Sequence, residues 1–174
     1  MRALHIFDFD DTLIRSDSRV HVTKADGAVL SLNSVEYKNY KKAPDDIFDY
    51  TEFAQYPKNP QFIDTVLAEL KAALALDGSN SVVILTARAE TKPVVDFLTD
   101  NGLAGIEVVG TGTDDPYSKA NYILERIKRD NIDEVVVFED SIKNIRAIRK
   151  VVTDAGYKLE TNRVTMKGVY TRSQ

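Results

Sequence analysis

The sequence lacks cysteine altogether and has only two histidines, His5 and His21, among its 174 residues. The absence of cysteine excludes disulfides, thiolate catalysis, and zinc or iron–sulfur sites with cysteine ligands. Two histidines are too few for a multi-histidine metal site. Oxygen ligands therefore remain for any metal chemistry, and they favour Mg²⁺ or a similar hard cation.

Long apolar runs and a strong charge bias are also missing. No segment reaches the roughly 18 apolar residues of a membrane-spanning helix, and Asp8, Asp10 and Asp11 interrupt the apolar start, unlike a secretory signal. The net charge of −4 argues against a general coating of nucleic acid, although one local basic groove remains compatible with it. We expect a soluble, cytoplasmic protein without a membrane partner, and its oligomeric state stays open.

The composition is that of a folded protein, with 43% hydrophobic and 29% charged residues. The length suits one domain with a substantial core. Neither an internal repeat nor a linker between independent domains is present. We therefore predict a single domain over residues 1–174, with residues 14–58 as a small flap or cap insertion after the first strand.

Strand-like and helix-like segments alternate along most of the chain. Near-continuous apolar runs predict strands of a parallel sheet that is covered on both faces, at Ala3–Phe9, Ser81–Leu85, Ile106–Val109 and Val135–Phe138, with an edge strand over Arg163–Val169. Caps and breakers predict four helices, which open at Asn59-Pro60, Lys92-Pro93, Asp115-Pro116 and Ser141 and end near Leu76, Asn101, Asp130 and Asp154. This alternation is typical of an α/β fold with a doubly wound, Rossmann-like parallel sheet of about five strands flanked by helices.

Residues 14–58 break the alternation. Weak period-two patterning from Arg19 to Leu32 around Asp26-Gly27 predicts a hairpin. The aromatic residues that follow form either a small satellite core or a substrate-facing flap, and both interpretations stay open. They are Tyr37, Tyr40, Phe48, Tyr50, Phe53 and Tyr56.

Three carboxylates come directly after the first predicted strand, in the segment Asp8-Phe9-Asp10-Asp11-Thr12-Leu13. Carboxylates this close together repel one another, so the segment favours a bound cation. Period-two geometry directs Asp8 and Asp10 to the same side if the strand continues, and open α/β sheets bind ligands at the carboxyl ends of strands. The alternative is an acidic loop that keeps a strand end soluble.

Later strand ends and one helix start carry further polar residues. Thr86 follows the second strand and is suited to bind a phosphate oxygen, although threonine is common at such positions. Lys119 lies in the first turn of a predicted helix, where the macrodipole disfavours a cation without a nearby anion; otherwise it is an exposed lysine. Glu139 and Asp140 end the fourth strand, unless Asp140 serves as a helix cap.

In this order, the residues resemble the haloacid dehalogenase superfamily over nearly the whole chain. The DxDxT motif, present as Asp8-Phe9-Asp10-Asp11-Thr12, is the most specific part of the resemblance. Most members are Mg²⁺-dependent phosphohydrolases, and the dehalogenase members lack the second aspartate, which this chain keeps as Asp10.

The resemblance implies a role for each residue. Asp8 would be the nucleophile that forms an aspartyl phosphate, and Asp10 would protonate the leaving group and then activate water. Thr86 would bind a phosphoryl oxygen, and Lys119 would hold Asp8 and the phosphoryl group. Mg²⁺ would be bound by Asp8, Asp140 and the backbone carbonyl of Asp10.

One motif departs from the family pattern, which often has Gly-Asp and a second aspartate four residues later. This chain has Glu139-Asp140 and then Asn144 at the later position. We interpret Asp140 as the metal ligand and Glu139 as a supporting or water-mediated partner.

The resemblance also bears on the substrate, because the insertion after the first motif controls access in this family. Residues 14–58 look too short for a full helical cap, which predicts an open site for a macromolecular phosphate such as a nucleic-acid end. The stretch Thr86-Ala87-Arg88-Ala89-Glu90 is loosely similar to the phosphatase domain of polynucleotide kinase–phosphatases. Candidate basic contacts, each of which is otherwise a solvated surface charge, are Arg15, Arg19, Lys24, Arg88 and Lys92.

Two alternatives remain. The first is a phosphatase for small nucleotides or sugar phosphates, with residues 34–58 or another subunit closing the site. The second is a non-catalytic binding domain that keeps the fold.

Overall fold

In the computed structural model, a six-stranded sheet forms the centre of the protein. The structure describes residues 1–165, 168 and 170–173, and for residues 171–173 it describes the backbone alone. Five neighbouring strands are parallel, and the strand at one edge is antiparallel. This confirms the predicted α/β fold with a five-stranded, doubly wound parallel sheet. From edge to edge the strands are β11 (Tyr170–Ser173), β10 (Lys158–Val164), β9 (Glu134–Glu139), β1 (Ala3–Phe7), β7 (Val82–Thr86) and β8 (Glu107–Gly110).

Helices cover both faces of the sheet, which explains why its central strands are mostly apolar. Phe7 and Ile84 face one layer of the core, whereas Ile6 and Leu85 face the other. No helix in the described part of the chain is long and apolar enough to cross a bilayer. The first layer contains α2 (Asp64–Asp77) and α3 (Lys92–Asp100), and the second contains α4 (Pro116–Asp130) and α5 (Ile142–Asp154).

Local capping signals account for most of the helix boundaries. The Asp115 side chain caps α4 by accepting the backbone N–H of Tyr117 at 3.0 Å. Ser141 caps α5 by accepting the backbone N–H of Asn144 at 3.3 Å, so Asp140 does not serve as that cap. Gly78, with a φ of 83°, ends α2 where the sequence predicts it.

The predicted start of the first long helix at Asn59-Pro60 is wrong. Asn59 has a φ of 45°, and its side chain donates to Asp17 at 3.0 Å. Pro60 then precedes the short strand β6 (Gln61–Phe62), which pairs with β2 (Ile14–Arg15). The helix therefore begins only at Asp64.

Two predicted strands differ from the structure by more than one residue at an end. β1 ends at Phe7 instead of Phe9, because the chain turns after Asp8 and Asp11 adopts a φ of 62°. The fifth parallel strand begins at Lys158 instead of Arg163 and is not the edge of the sheet, since β11 pairs outside it. Val169, which ends the predicted strand, lies outside the described residues.

The insertion forms a three-stranded antiparallel sheet with one short helix. Its hairpin confirms the one predicted around Asp26-Gly27. Four of its aromatic side chains, those of Tyr37, Tyr40, Phe48 and Tyr50, contact one another with ring centroids 5.7–6.2 Å apart, as the satellite-core interpretation expects. The elements are β3 (Arg19–Thr23), β4 (Val29–Asn33), α1 (Ser34–Asn39), β5 (Ile47–Asp49) and a 3-10 helix (Thr51–Ala54), and a second 3-10 helix (Ser79–Ser81) precedes β7.

Candidate active site

Adjacent carboxyl ends of β9, β1 and β7 bring the predicted site residues to one edge of the sheet. Asp8 follows β1, Thr86 is the last residue of β7, and Glu139 is the last residue of β9. The backbone N–H of Asp8 donates to the carbonyl of Phe138 at 3.0 Å, which fixes the chain where it leaves the sheet. Parallel pairing therefore collects side chains that are far apart in sequence.

The ammonium of Lys119 lies between two buried carboxylates. Its Nζ donates to Asp8 Oδ1 and to Glu139 Oε2, both at 2.8 Å. The three residues are 4%, 7% and 2% exposed, respectively. The alternative of an exposed, solvated lysine is therefore wrong, and so is that of a solubilising acidic loop at Asp8.

Lys119, Asp8 and Glu139 form a buried charged triad, and the charges and burial of its members shift their pKa values. Burial raises the pKa of Asp8, but the charge of Lys119 and hydrogen bonds lower it, and the net pKa of Asp8 lies well below its usual range. Burial lowers the pKa of Lys119, but Asp8 and Glu139 raise it, with a net rise. Burial and the charge of Asp8 raise the pKa of Glu139. Asp8 is thus an ionised carboxylate beside a charged lysine.

Thr12 connects two of the carboxylates from a fully buried position. Its hydroxyl oxygen lies 2.9 Å from Asp8 Oδ2 and 3.2 Å from Asp140 Oδ1. One hydroxyl hydrogen serves one acceptor at a time, so the contact is shared between the two. Thr12 belongs to the DxDxT motif, but the sequence alone does not predict this contact.

Asp8, Glu139 and Asp140 form a group that could hold a metal ion. One carboxylate oxygen from each lies within 4.8 Å of the others. Burial and the charges of Asp8 and Glu139 raise the pKa of Asp140, so a cation among them would relieve their repulsion. Carboxylate oxygens are the donors that hard divalent cations prefer, and the residues present therefore fit such an ion.

Both carboxylate oxygens of Glu139 already accept hydrogen bonds from the protein. Its Oε2 accepts from Lys119, and its Oε1 accepts the backbone N–H groups of Asp140 and Ser141, each at 3.1 Å. Both oxygens therefore already serve to position Lys119 and the start of α5. This arrangement is compatible with the supporting role interpreted for Glu139.

The carboxylate of Asp10 forms an ion pair with Arg88. The Asp10 side chain does not belong to the group of carboxylates that could hold a metal ion. Arg88 Nε and Nη2 donate to the two oxygens of Asp10 at 2.8 and 2.9 Å, and Nη1 donates to the carbonyls of Phe53 and Gln55, both at 3.1 Å. Arg88 is only 5% exposed, so its interpretation as a surface charge is wrong. It joins Asp10 to the insertion instead.

Thr86 is buried beside this arginine. Its hydroxyl oxygen accepts the backbone N–H of Arg88 at 3.2 Å, which leaves its hydroxyl hydrogen to be donated. The neighbouring strand approaches so closely that a Cβ on Gly110 would lie 2.3 Å from the carbonyl oxygen of Arg88, a contact that only glycine avoids. Backbone packing thus fixes the loop that follows Thr86.

The insertion covers the carboxylates, so the expectation of an open site is wrong. Lys38 on α1 donates to Asp140 Oδ2 and, at 3.0 Å, to Asp11 Oδ2. Tyr37 and Lys42 also contact the Asp114 carboxylate, at 3.1 and 2.8 Å. One short helix with a long side chain reaches the site, although the sequence predicts that residues 14–58 are too short for a full helical cap and leave the site open.

The other basic candidates have partners of their own. Among the described residues, Lys24 pairs with Asp46 and Lys92 pairs with Asp96, and the Arg19 guanidinium donates to the carbonyl of Ser31 at 3.1 Å. Arg15 contacts a backbone carbonyl at 3.4 Å. Of the five predicted basic contacts, Arg88 alone bonds to a predicted site residue in the part of the chain that the structure describes.

Comparisons of this chain with protein-family models, curated proteins and solved structures gave no match.

Replacing Lys119 with methionine should lower the free energy of unfolding by about 3–5 kcal/mol, because it leaves two buried carboxylates without their cation. Urea denaturation measures this change, with Lys128→Met at an exposed position of the same helix as the matched control. Adding Glu139→Gln to Lys119→Met should restore part of the loss. Equal stabilities of Lys119→Met and Lys128→Met would contradict the triad's role.

Proposed function

We propose that the chain is a Mg²⁺-dependent phosphomonoesterase of the haloacid dehalogenase type, which transfers a phosphoryl group to Asp8 and then to water. The observation that carries the proposal is the buried ammonium of Lys119 at 2.8 Å from Asp8. A carboxylate can attack an anionic phosphate only where cations neutralise the approach. Lys119 supplies one such charge and also keeps Asp8 ionised.

The reaction has two balanced steps. A carboxylate oxygen of Asp8 attacks phosphorus, the bond from phosphorus to the ester oxygen breaks, and the leaving oxygen takes a proton from Asp10. Asp10 then takes a proton from water as the water oxygen attacks phosphorus, which releases inorganic phosphate and restores the Asp8 carboxylate. Thr86 donates its hydroxyl hydrogen to a phosphoryl oxygen throughout.

The ion pair with Arg88 affects how Asp10 can take up and release a proton in this reaction. Both oxygens of Asp10 accept N–H groups of the guanidinium, and these charge-assisted bonds weaken when the carboxylate takes up a proton. The same guanidinium contacts backbone carbonyls of the insertion. Movement of the insertion and proton uptake by Asp10 are therefore linked.

Asp8, Asp140 and the backbone carbonyl of Asp10 would hold the Mg²⁺, which supplies charge neutralisation at the phosphoryl oxygens. Glu139 keeps its supporting position, since both its oxygens already accept hydrogen bonds. The proposal includes the cytoplasmic location expected from the sequence. Retention of Asp8, Asp10 and Lys119 favours catalysis over a non-catalytic binding domain.

Closure by the insertion favours a small substrate over a nucleic-acid end. Arg88 ties the carbonyls of Phe53 and Gln55 to the sheet edge, and these contacts do not involve Lys38. A polymer end would need these contacts to open widely, whereas a nucleotide or sugar phosphate needs less room. We therefore propose a small phosphate monoester as the substrate.

Asp8→Asn should reduce turnover at least roughly a thousandfold, because an amide is a poor nucleophile toward phosphorus. Steady-state and burst release of phosphate from an aryl phosphate with Mg²⁺ measure this loss. Asp45→Asn, at an exposed position of the insertion, is the matched control and should keep wild-type turnover. Wild-type turnover in Asp8→Asn would exclude the covalent mechanism.

Asp140→Ala should raise the Mg²⁺ concentration for half-maximal activity more than Glu139→Ala does. The reason is that Asp140 is the proposed ligand, whereas loss of a supporting group weakens metal binding by about 10–100-fold at most. Titration of activity with Mg²⁺ for both variants compares them. A larger rise for Glu139→Ala would reverse the assignment.

The substrate proposal predicts a higher kcat/KM for small monoesters than for phosphorylated oligonucleotides, and little dependence on salt. A panel of 3′- and 5′-phosphorylated oligonucleotides, mononucleotides and sugar phosphates, assayed at two salt concentrations, tests it. Binding of a nucleic acid would instead weaken steeply with salt because counterions are released. Preference for oligonucleotides with such a salt dependence would support the nucleic-acid alternative.

A further inference from the structure

Lys38 bonds the same Asp140 that is proposed to bind metal. Its ammonium donates to Asp140 Oδ2, and the hydroxyl of Thr12 lies at the other oxygen, Oδ1. A divalent cation at Asp140 would therefore lie against a positive ammonium. A metal ion would repel the ammonium of Lys38 at Asp140, as it would that of Lys119 at Asp8, so the ammonium that is freer to move should withdraw.

The charges of the site single out Lys38 as the cation that moves. Lys119 and Arg88 have side chains that are only 5% and 2% exposed, and each is bonded to carboxylates at the sheet edge. The Lys38 side chain is 37% exposed and reaches in from outside the sheet. Burial lowers the pKa of Lys38, but Asp140, Asp11 and Asp8 raise it, so the ammonium stays charged.

The helix that carries Lys38 packs against the rest of the insertion through Tyr37, whose ring contacts those of Phe48 and Tyr50, but the contacts that hold it over the sheet edge are polar. None of the residues of α1 is buried, and its capping box joins Asn33 and Glu36 within the same segment. Its contacts with the β8–α4 side of the site are polar, from Tyr37 and the nearby Lys42 to Asp114. Loss of the Lys38 contact would therefore expose almost no apolar surface.

We propose that Lys38 is a latch that holds α1 over the carboxylates by bonding Asp140, and that Asp140 exchanges this ammonium for a divalent cation when metal binds. The exchange frees α1 and opens the site to substrate. The displaced ammonium also leaves Asp11, its second partner at the same site. The latch rests on the proposed function only in taking Asp140 as a metal ligand.

Calorimetric titration of the full-length protein with MgCl₂, in the absence of substrate, tests the latch. Lys38→Met should bind Mg²⁺ roughly five- to tenfold more tightly than the wild type, since the competing ion pair is gone. Lys42→Met is the matched control, because this lysine ties the same segment to Asp114 but does not contact the carboxylate group. Its Mg²⁺ affinity should equal that of the wild type.

Hydrogen–deuterium exchange of residues 34–39 gives an independent readout. In the wild type and in Lys42→Met, Mg²⁺ should raise the exchange of these amides several-fold, because it releases the latch. In Lys38→Met the exchange should already be high, and Mg²⁺ should not change it further.

The outcomes separate the latch from the phosphatase activity. Equal or weaker Mg²⁺ binding by Lys38→Met would overturn the latch, even if the wild type hydrolyses phosphate esters. Tighter binding by Lys38→Met without hydrolysis by any variant would support the latch and count against the phosphatase. Absence of Mg²⁺ binding in both proteins would overturn both proposals.

Discussion

Buried carboxylates at adjacent strand ends repel each other, and the ammonium of Lys119 is what allows Asp8 and Glu139 to share one edge of the sheet. Each contact is 2.8 Å long and nearly free of solvent, so little water screens the attraction. The triad keeps Asp8 ionised and fixes its direction. It also joins the first turn of α4 to β1 and β9, so fold and site depend on the same interaction.

Two further cations, Arg88 and Lys38, connect the carboxylates of the site to the insertion. Arg88 neutralises Asp10 and contacts the insertion's backbone, while Lys38 on α1 neutralises Asp140 and Asp11. The cover over the site is therefore held by the same carboxylates that would bind metal and substrate. A change of charge at the site must alter the hold on the cover, which is the physical basis of the proposed latch.

Local sequence signals predicted the strands and helix ends, which depend on residues near one another in the chain. They did not predict contacts between residues that are far apart in the chain. Apolar runs and caps predicted the parallel sheet and most helix bounds, and the family resemblance predicted the contact of Lys119 with Asp8. The beginning of β10 was missed because its residues are mostly polar. Nothing in the sequence pointed to the role of Lys38 or to the burial of Arg88, because a lone lysine or arginine carries no local mark of a partner far along the chain. The assigned roles in catalysis stay predictions.

The proposed mechanism requires that Asp8 carries the phosphoryl group as an aspartyl phosphate. The most direct test is to incubate the protein with a small phosphate ester and Mg²⁺, quench the reaction, reduce it with borohydride and map the peptides by mass spectrometry. Borohydride converts an aspartyl phosphate to homoserine, so the account predicts homoserine at position 8, dependent on both substrate and Mg²⁺. Phosphate release without homoserine at that position, or homoserine at another aspartate, would contradict it.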